Sequence, residues 1–406
     1  MKKFNLLLSS LLLISSISIS KPVVAQTSDY QDLKTYIYNY INFVEKSKSE
    51  LLIDNEQVLK YYNSKDSLDY LYLNALINYR KIQLTDLKFQ TISNNINIES
   101  ITENNNIYDV ELTNSSKLIY NCMDGDISEV MEFHDLTIKK NGNDFIVLYD
   151  NNYDEYRQDL GITKNADIKK VKSTISELLS KTKISVQEEK ETLKKAKLQA
   201  QTTPIKEISD TEQIVNISKV STQSTKFTKH SYNREKAKNY ALEYVLSPNP
   251  KYTNYETMGG NCTNFTSQCL YAGGIVQDKV GNYTWYYTSK SKSASWKSAN
   301  SFRTYYKNNI GSATVKGLNA KTCFLAKTRL GDLVQIVNSN KASHTMFISG
   351  YLADNWANDN PWEYKYDVKI CQNSTGKSGR LKNVPLKSKG ISPSSLEYIH
   401  ITGSYY

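Results

Sequence analysis

Within the first 160 residues of this 406-residue chain the hydrophobic period changes, and that change limits the folds open to it. In "YQDLKTYIYNYINFVEKSKSELL" the apolar residues Leu33, Ile37, Tyr40, Ile41, Phe43 and Val44 recur at helical spacing. "SLDYLYLNALINYRKIQL" continues the pattern as a second helix. From "LKFQTISNNINIES" onward, apolar and polar residues alternate between Asn-rich turns, the period of strands. "HDLTIKKNGNDFIVLYD" reads as a hairpin: Leu136 and Ile138 face inward, Asn141-Gly142-Asn143 turns, and Phe145, Val147 and Tyr149 return. His134 reads as an ordinary residue opening a strand at a sheet edge. Helices followed by a meander predict an α+β unit over residues 26–160, with helices on one sheet face.

The pattern of that unit loosely resembles NTF2-like or cystatin-like modules. Residues 161–230 change character. "IKKVKSTISELLSKTKISVQEEKETLKKAKLQAQ" is charged and predicts one or two exposed helices, and the Thr/Ser-rich stretch after it reads as a poorly ordered linker. A further domain is expected over 231–406. It opens with the helical pattern of "YNREKAKNYALEYVLSPNP", which Pro248 and Pro250 end.

Residues 1–25 have the form of a secretory signal: Lys2 and Lys3, an apolar run, and Val23-Val24-Ala25 as a cleavage site. Their removal implies an exported protein, secreted or wall-associated, with no membrane span afterwards. The net charge of +10 falls to +7 without Lys2, Lys3 and Lys21. Acidic residues are interspersed throughout and no Arg-rich aromatic stripe occurs, which argues against nucleic acid as a partner. A modest positive charge attracts anionic wall polymers non-specifically. Five cysteines are an odd number, and none has zinc-ligand spacing. No metal or cofactor is therefore expected, and a Cys323–Cys371 disulfide stays open.

The chemistry concentrates in "GGNCTNFTSQCLYAGG". Gly259-Gly260 permits a tight turn, Asn261 is a good N-cap residue, and the helical pattern begins at Cys262. Phe265, Cys269 and Leu270 share its inward side, and Gly273-Gly274 ends it. A thiol on the first turn meets unpaired amides and the positive end of the helix dipole, which favour a thiolate and can hold an oxyanion. Seven residues of helix span about 10.5 Å, too far for Cys262 to bridge to Cys269, which reads as a core thiol. Of the four histidines, His344 opens a strand after a polar turn in "LGDLVQIVNSNKASHTMFISGY" and is the candidate base. The next strand, "YDVKICQNSTG", ends in Gln372 and Asn373, either of which could orient the imidazole.

In this order, "YNREKAKNYALEYVLSPNP", "GGNCTNFTSQCLYAGG", "SASWKSANSFRTYY", "LGDLVQI" and "SHTMFISGY" resemble the putative amidase domain family of secreted Gram-positive proteins. The resemblance implies a papain-like cysteine hydrolase, related to cell-wall amidases and endopeptidases, with Cys262 as nucleophile and His344 as base. Asn261 stands where the family has Asp, and Asn373 where it often has His. Trp296 matches a family tryptophan that either lines the cleft beside Asn261 or packs. The implied partner is an amide or peptide substrate, with peptidoglycan as the first candidate. A catalytically decayed wall-binding protein and an acyl transferase remain alternatives. The oligomeric state is open.

Overall fold

The computed structural model describes residues 27–202, 226–258, 260–353, 365–374 and 379–406. The signal-like residues 1–25, most of the Thr/Ser-rich linker, and Gly259 lie outside them. Helices α1 (Thr27–Glu50), α2 (Asn55–Tyr61) and α3 (Leu68–Ile82) precede strands β1 (Phe89–Asn104), β2 (Ile107–Tyr120), β3 (Ile127–Asn141) and β4 (Asp144–Asn151). Then come α4 (Glu155–Asp159), α5 (Ile168–Thr202), the short β5 (Lys229–His230) and α6 (Arg234–Tyr244). The chain continues through α7 (Cys262–Ala272), α8 (Ala294–Lys297), α9 (Ala299–Asn308), β6 (Gly317–Cys323) and β7 (Leu333–Asn338). It ends with β8 (Lys341–Ala353), β9 (Lys365–Asn373), β10 (Arg380–Pro385) and β11 (Leu396–Tyr405). Helices with a large antiparallel sheet make this an α+β fold. Among the described residues no helix is long and apolar enough to cross a membrane.

The first and last parts of the chain share one sheet, in the order β1-β2-β3-β10-β9-β8-β7-β11-β5, with β4 beside β3 and β6 beside β11. The joint is β3. Its first half pairs with β10 through Met131–Arg380, Val130–Leu381 and Glu129–Lys382, and its second half pairs with β4. On the N-terminal side, α1–α3 cover the inward residues of β2–β4, as the alternation predicts. A bulge at Leu148 breaks that alternation: Thr137 pairs with Tyr149 but Ile138 with Val147. The extra residue turns Asp150 inward in place of Tyr149. Asp150 then meets His134, with Oδ1 2.8 Å from Nδ1, and accepts from Tyr40 Oη at 2.8 Å. His134 therefore lies buried in the middle of an interior strand, not at the start of an edge strand.

Strands β7, β8 and β9 of the C-terminal part are buried on both faces over most of their length, so successive side chains feed opposite cores. Leu333, Phe347 and Cys371 pack with α6, α7 and α9. Val334, Met346, Ile348 and Ile370 join Phe89, Leu118, Tyr120 and Met123 from the N-terminal part. Of the one or two exposed helices expected in the charged segment after residue 161, the structure has one, α5, and one side of it is packed rather than exposed. Val171, Ile175, Leu178 and Leu179 pack it with α3, and Glu189 receives Lys387 Nζ at 2.6 Å.

No disulfide forms among the described residues. Cys371 on β9 and Cys323 on β6 are separated by β8, β7 and β11. Four strand spacings of about 4.8 Å put them far beyond disulfide reach. A tighter contact joins the two parts at Gly390, which has φ +76° and would bring a Cβ to 2.5 Å from Tyr156 Cγ of α4. Gly390→Ala should destabilise the protein by about 2 kcal/mol or more, through left-handed backbone strain and overpacking. A lowered denaturant midpoint at unchanged slope is the readout.

Candidate active site

Gly260, at φ +130°, swings the chain into α7, and Asn261 precedes its first residue. Asn261 does not cap the helix with its side chain as expected. Its Oδ1 instead accepts from Tyr255 N at 3.2 Å and Asn264 Nδ2 at 2.7 Å, while its Nδ2 donates to Asn373 Oδ1 at 2.8 Å. The side chain is thus spent on bracing the turn. The first-turn amides of α7 keep no side-chain cap and stay suited to an anion.

The sequence suggests one inward side for α7, but Cys262 through Leu270 are all buried. Its polar residues are tolerated because each has a partner. Thr263 Oγ1 lies 3.0 Å from Thr345 Oγ1, and Gln335 Nε2 donates to that same hydroxyl at 3.0 Å. Trp285 Nε1 donates to Ser267 Oγ at 3.0 Å, and Tyr240 Oη to Gln268 Oε1 at 2.7 Å. Trp296 has no exposed surface and donates to Asn264 Oδ1 at 2.9 Å. It therefore packs behind the helix and lines no cleft, and Asn261 is 2 % exposed. Cys269 is fully buried against the apolar core, and burial pushes its thiol well up, with Cys371 adding to the effect.

His344, on β8, lies near enough to Cys262 for each to shift the other's titration. Burial pushes the Cys262 thiol up, but the nearby His344 imidazolium, with the Thr263 hydroxyl and Thr345 amide, brings it down to about 7. Burial likewise pushes His344 down, and the Cys262 thiolate overrides this, with help from the Glu155 carboxylate and the Gln372 amide, raising it to about 9. These opposite shifts are those of a thiolate–imidazolium pair. By contrast, burial pushes Cys371 up to about 11 and Cys122 up to about 12.

The structure brings Cys262, His344, Gln372 and Asn373 to one place but separates the two amides by environment. Asn373 is committed at both ends: Oδ1 to Asn261, and Nδ2 to Val245 O at 2.8 Å. Gln372 lies beside the imidazole and donates from Nε2 to Glu155 Oε1 at 2.9 Å. Its Oε1 and the Nε2 of His344 are both buried and lack hydrogen-bond partners within the described residues. Sequence reading missed Glu155, which precedes Gln372 by 217 residues and sits in no motif. It also missed Thr263, Thr345 and Gln335, whose hydroxyls and amide bolt α7 to the sheet; their polarity within apolar segments was the available signal. The other two histidines stand elsewhere, His400 beside Asp332 at 2.8 Å and His230 on β5. Among the described residues no group of three or more His, Cys, Asp or Glu could hold a metal ion.

The chain is 39% identical over 79 residues to the uncharacterized protein YhbB of Bacillus subtilis (strain 168). That match covers 19% of this chain and about a quarter, 24%, of the relative. No solved structure matches significantly. Residues 231–377, which hold Cys262, His344, Gln372 and Asn373, match the family described as putative amidase domain, so the C-terminal part of this chain carries a domain of that family.

Proposed function

We propose that this protein is an exported cysteine amidase or peptidase, papain-like in the arrangement of its site. The family match supports amide hydrolysis in general. The cysteine mechanism rests on the opposed shifts of Cys262, down to about 7, and His344, up to about 9, at a helix start. The Cys262 thiolate attacks the amide carbonyl, and the oxyanion faces the first-turn amides of α7. His344 gives its proton to the leaving amine as the C–N bond breaks, leaving a thioester. Water then attacks the thioester with His344 as base, which releases the acid and restores the thiolate. Export rests on the signal-like residues 1–25, and peptidoglycan is the first substrate such a protein meets.

The imidazole needs an acceptor to hold its tautomer, and Gln372 suits this role better than Asn373. Its Oε1 is the buried oxygen left over, and apo hydrogen bonds of this kind commonly tighten only with substrate bound. Gln372→Ala should lower kcat by about tenfold or more, with little change in KM. Asn373→Ala should act mainly on stability, by freeing Asn261, and lower the unfolding midpoint. Equal kinetic losses in the two variants would reject the distinction.

Thiol alkylation tests the whole reading. At pH 7 a small haloacetamide should modify Cys262 first, ahead of the other four cysteines, as read by peptide mass spectrometry. Ordinary thiol reactivity at Cys262 would instead favour a decayed wall-binding protein. Product analysis with an added amine separates hydrolysis from acyl transfer.

A further inference from the structure

We infer that Glu155 of α4 is a positioning residue of this site: by accepting from Gln372 Nε2 it holds the amide with Oε1 toward the His344 imidazole, so the N-terminal part of the chain completes the machinery. This rests on the cysteine-hydrolase reading and extends it outside the segment that matches the family.

A side-chain amide has two orientations of similar shape, and only one offers oxygen to an imidazole N–H. A carboxylate only accepts, so its bond to Nε2 at 2.9 Å selects that orientation. Glu155 is itself held in place. Asp154 Oδ1 accepts from Tyr156 N at 2.9 Å at the start of α4, and Lys389 Nζ sits 2.6 Å from Asp154 Oδ2 and 3.9 Å from Glu155 Oε2. That second oxygen of Glu155 is buried without a hydrogen bond among the described residues. Desolvating a carboxylate with so few partners costs stability. The charges around the imidazole are Cys262 from α7 and Glu155 from α4, with Lys389 behind Glu155 partly offsetting it. Glu155 thus also favours the imidazolium.

The test uses the full chain and Glu155→Gln, which keeps the volume and removes the charge, with Glu155→Ala as the second variant. In Glu155→Gln the alkaline limb of kcat should move to lower pH by about half a unit or more, as loss of a nearby carboxylate requires. At pH 8 kcat should fall about fivefold or more with KM within about twofold, as loss of positioning predicts. With histidine labelled at 13Cε1, the His344 resonance should titrate correspondingly lower in the Cys262→Ala background, a readout that needs no turnover. At pH 8 in Gln372→Ala, adding Glu155→Gln should cost less than about twofold more, because the shared contact is already gone and only the small effect of the charge on His344 is left. An unchanged His344 titration and pH profile, or fully additive losses, would overturn the proposal. A lowered melting point with both profiles unmoved would mark Glu155 as structural only, and would also overturn it. If Cys262→Ala keeps full amide turnover, the cysteine reading fails while the titration still reports on Glu155.

Discussion

Cys262→Ala should lose amide turnover by at least about a thousandfold while keeping the fold, because the nucleophile and half of the ion pair go together. In the unsubstituted protein, the thiolate grows as pH rises through about 7, and the imidazolium is lost as pH rises through about 9. The rate should therefore climb through pH 7, level near 8, and fall above 9. His344→Ala removes the cation that holds the thiol down, so burial dominates. The thiolate, followed by its ultraviolet absorbance, should then form only at or above the ordinary cysteine range. A profile with no alkaline limb, or a His344→Ala thiol that still titrates near 7, would reject the ion pair. Cys262→Ala turnover equal to that of the unsubstituted protein would reject the nucleophile.

Residues 226–406 expressed alone should not form a compact native domain. In the full chain, Phe89, Leu118, Tyr120 and Met123 close one face of the C-terminal sheet, and β3 pairs with β10. Each such side chain contributes about 1.5–3 kcal/mol by burial. Four of them approach the whole net stability of a domain, about 5–15 kcal/mol. The truncation also uncovers Val334, Met346, Ile348 and Ile370 as a contiguous apolar face, and leaves Gln372 without Glu155. The expected result is aggregation, or a broad thermal transition with weak near-ultraviolet dichroism. A monomeric fragment that melts cooperatively and turns over amides at the full rate would contradict this.

Local pattern was enough for most of the elements. The helical period of residues 27–50 and the alternation from residue 89 each appear as the expected structure, and so does the hairpin through Gly142-Asn143. At the site, local geometry separated Cys262 from Cys269, because seven residues of helix fix their separation whatever surrounds them. It also put His344 near the start of its strand and Gln372 and Asn373 at the end of the next, where the structure has them.

What remained was decided by contacts between residues far apart in the chain. The choice between Gln372 and Asn373 depends on Asn261, Val245 and Glu155, which come from three other segments. The burial of Trp296 depends on how α8 packs against α7, and the turning of Asp150 toward His134 on a one-residue bulge. Composition divided the chain near residues 160 and 231, yet β3 and β10 join the two parts in one sheet. Periodicity reports which side of an element is buried. It carries no record of which distant strand lies alongside, or whose carboxylate meets a buried amide, because those partners are set by the packing of the whole chain.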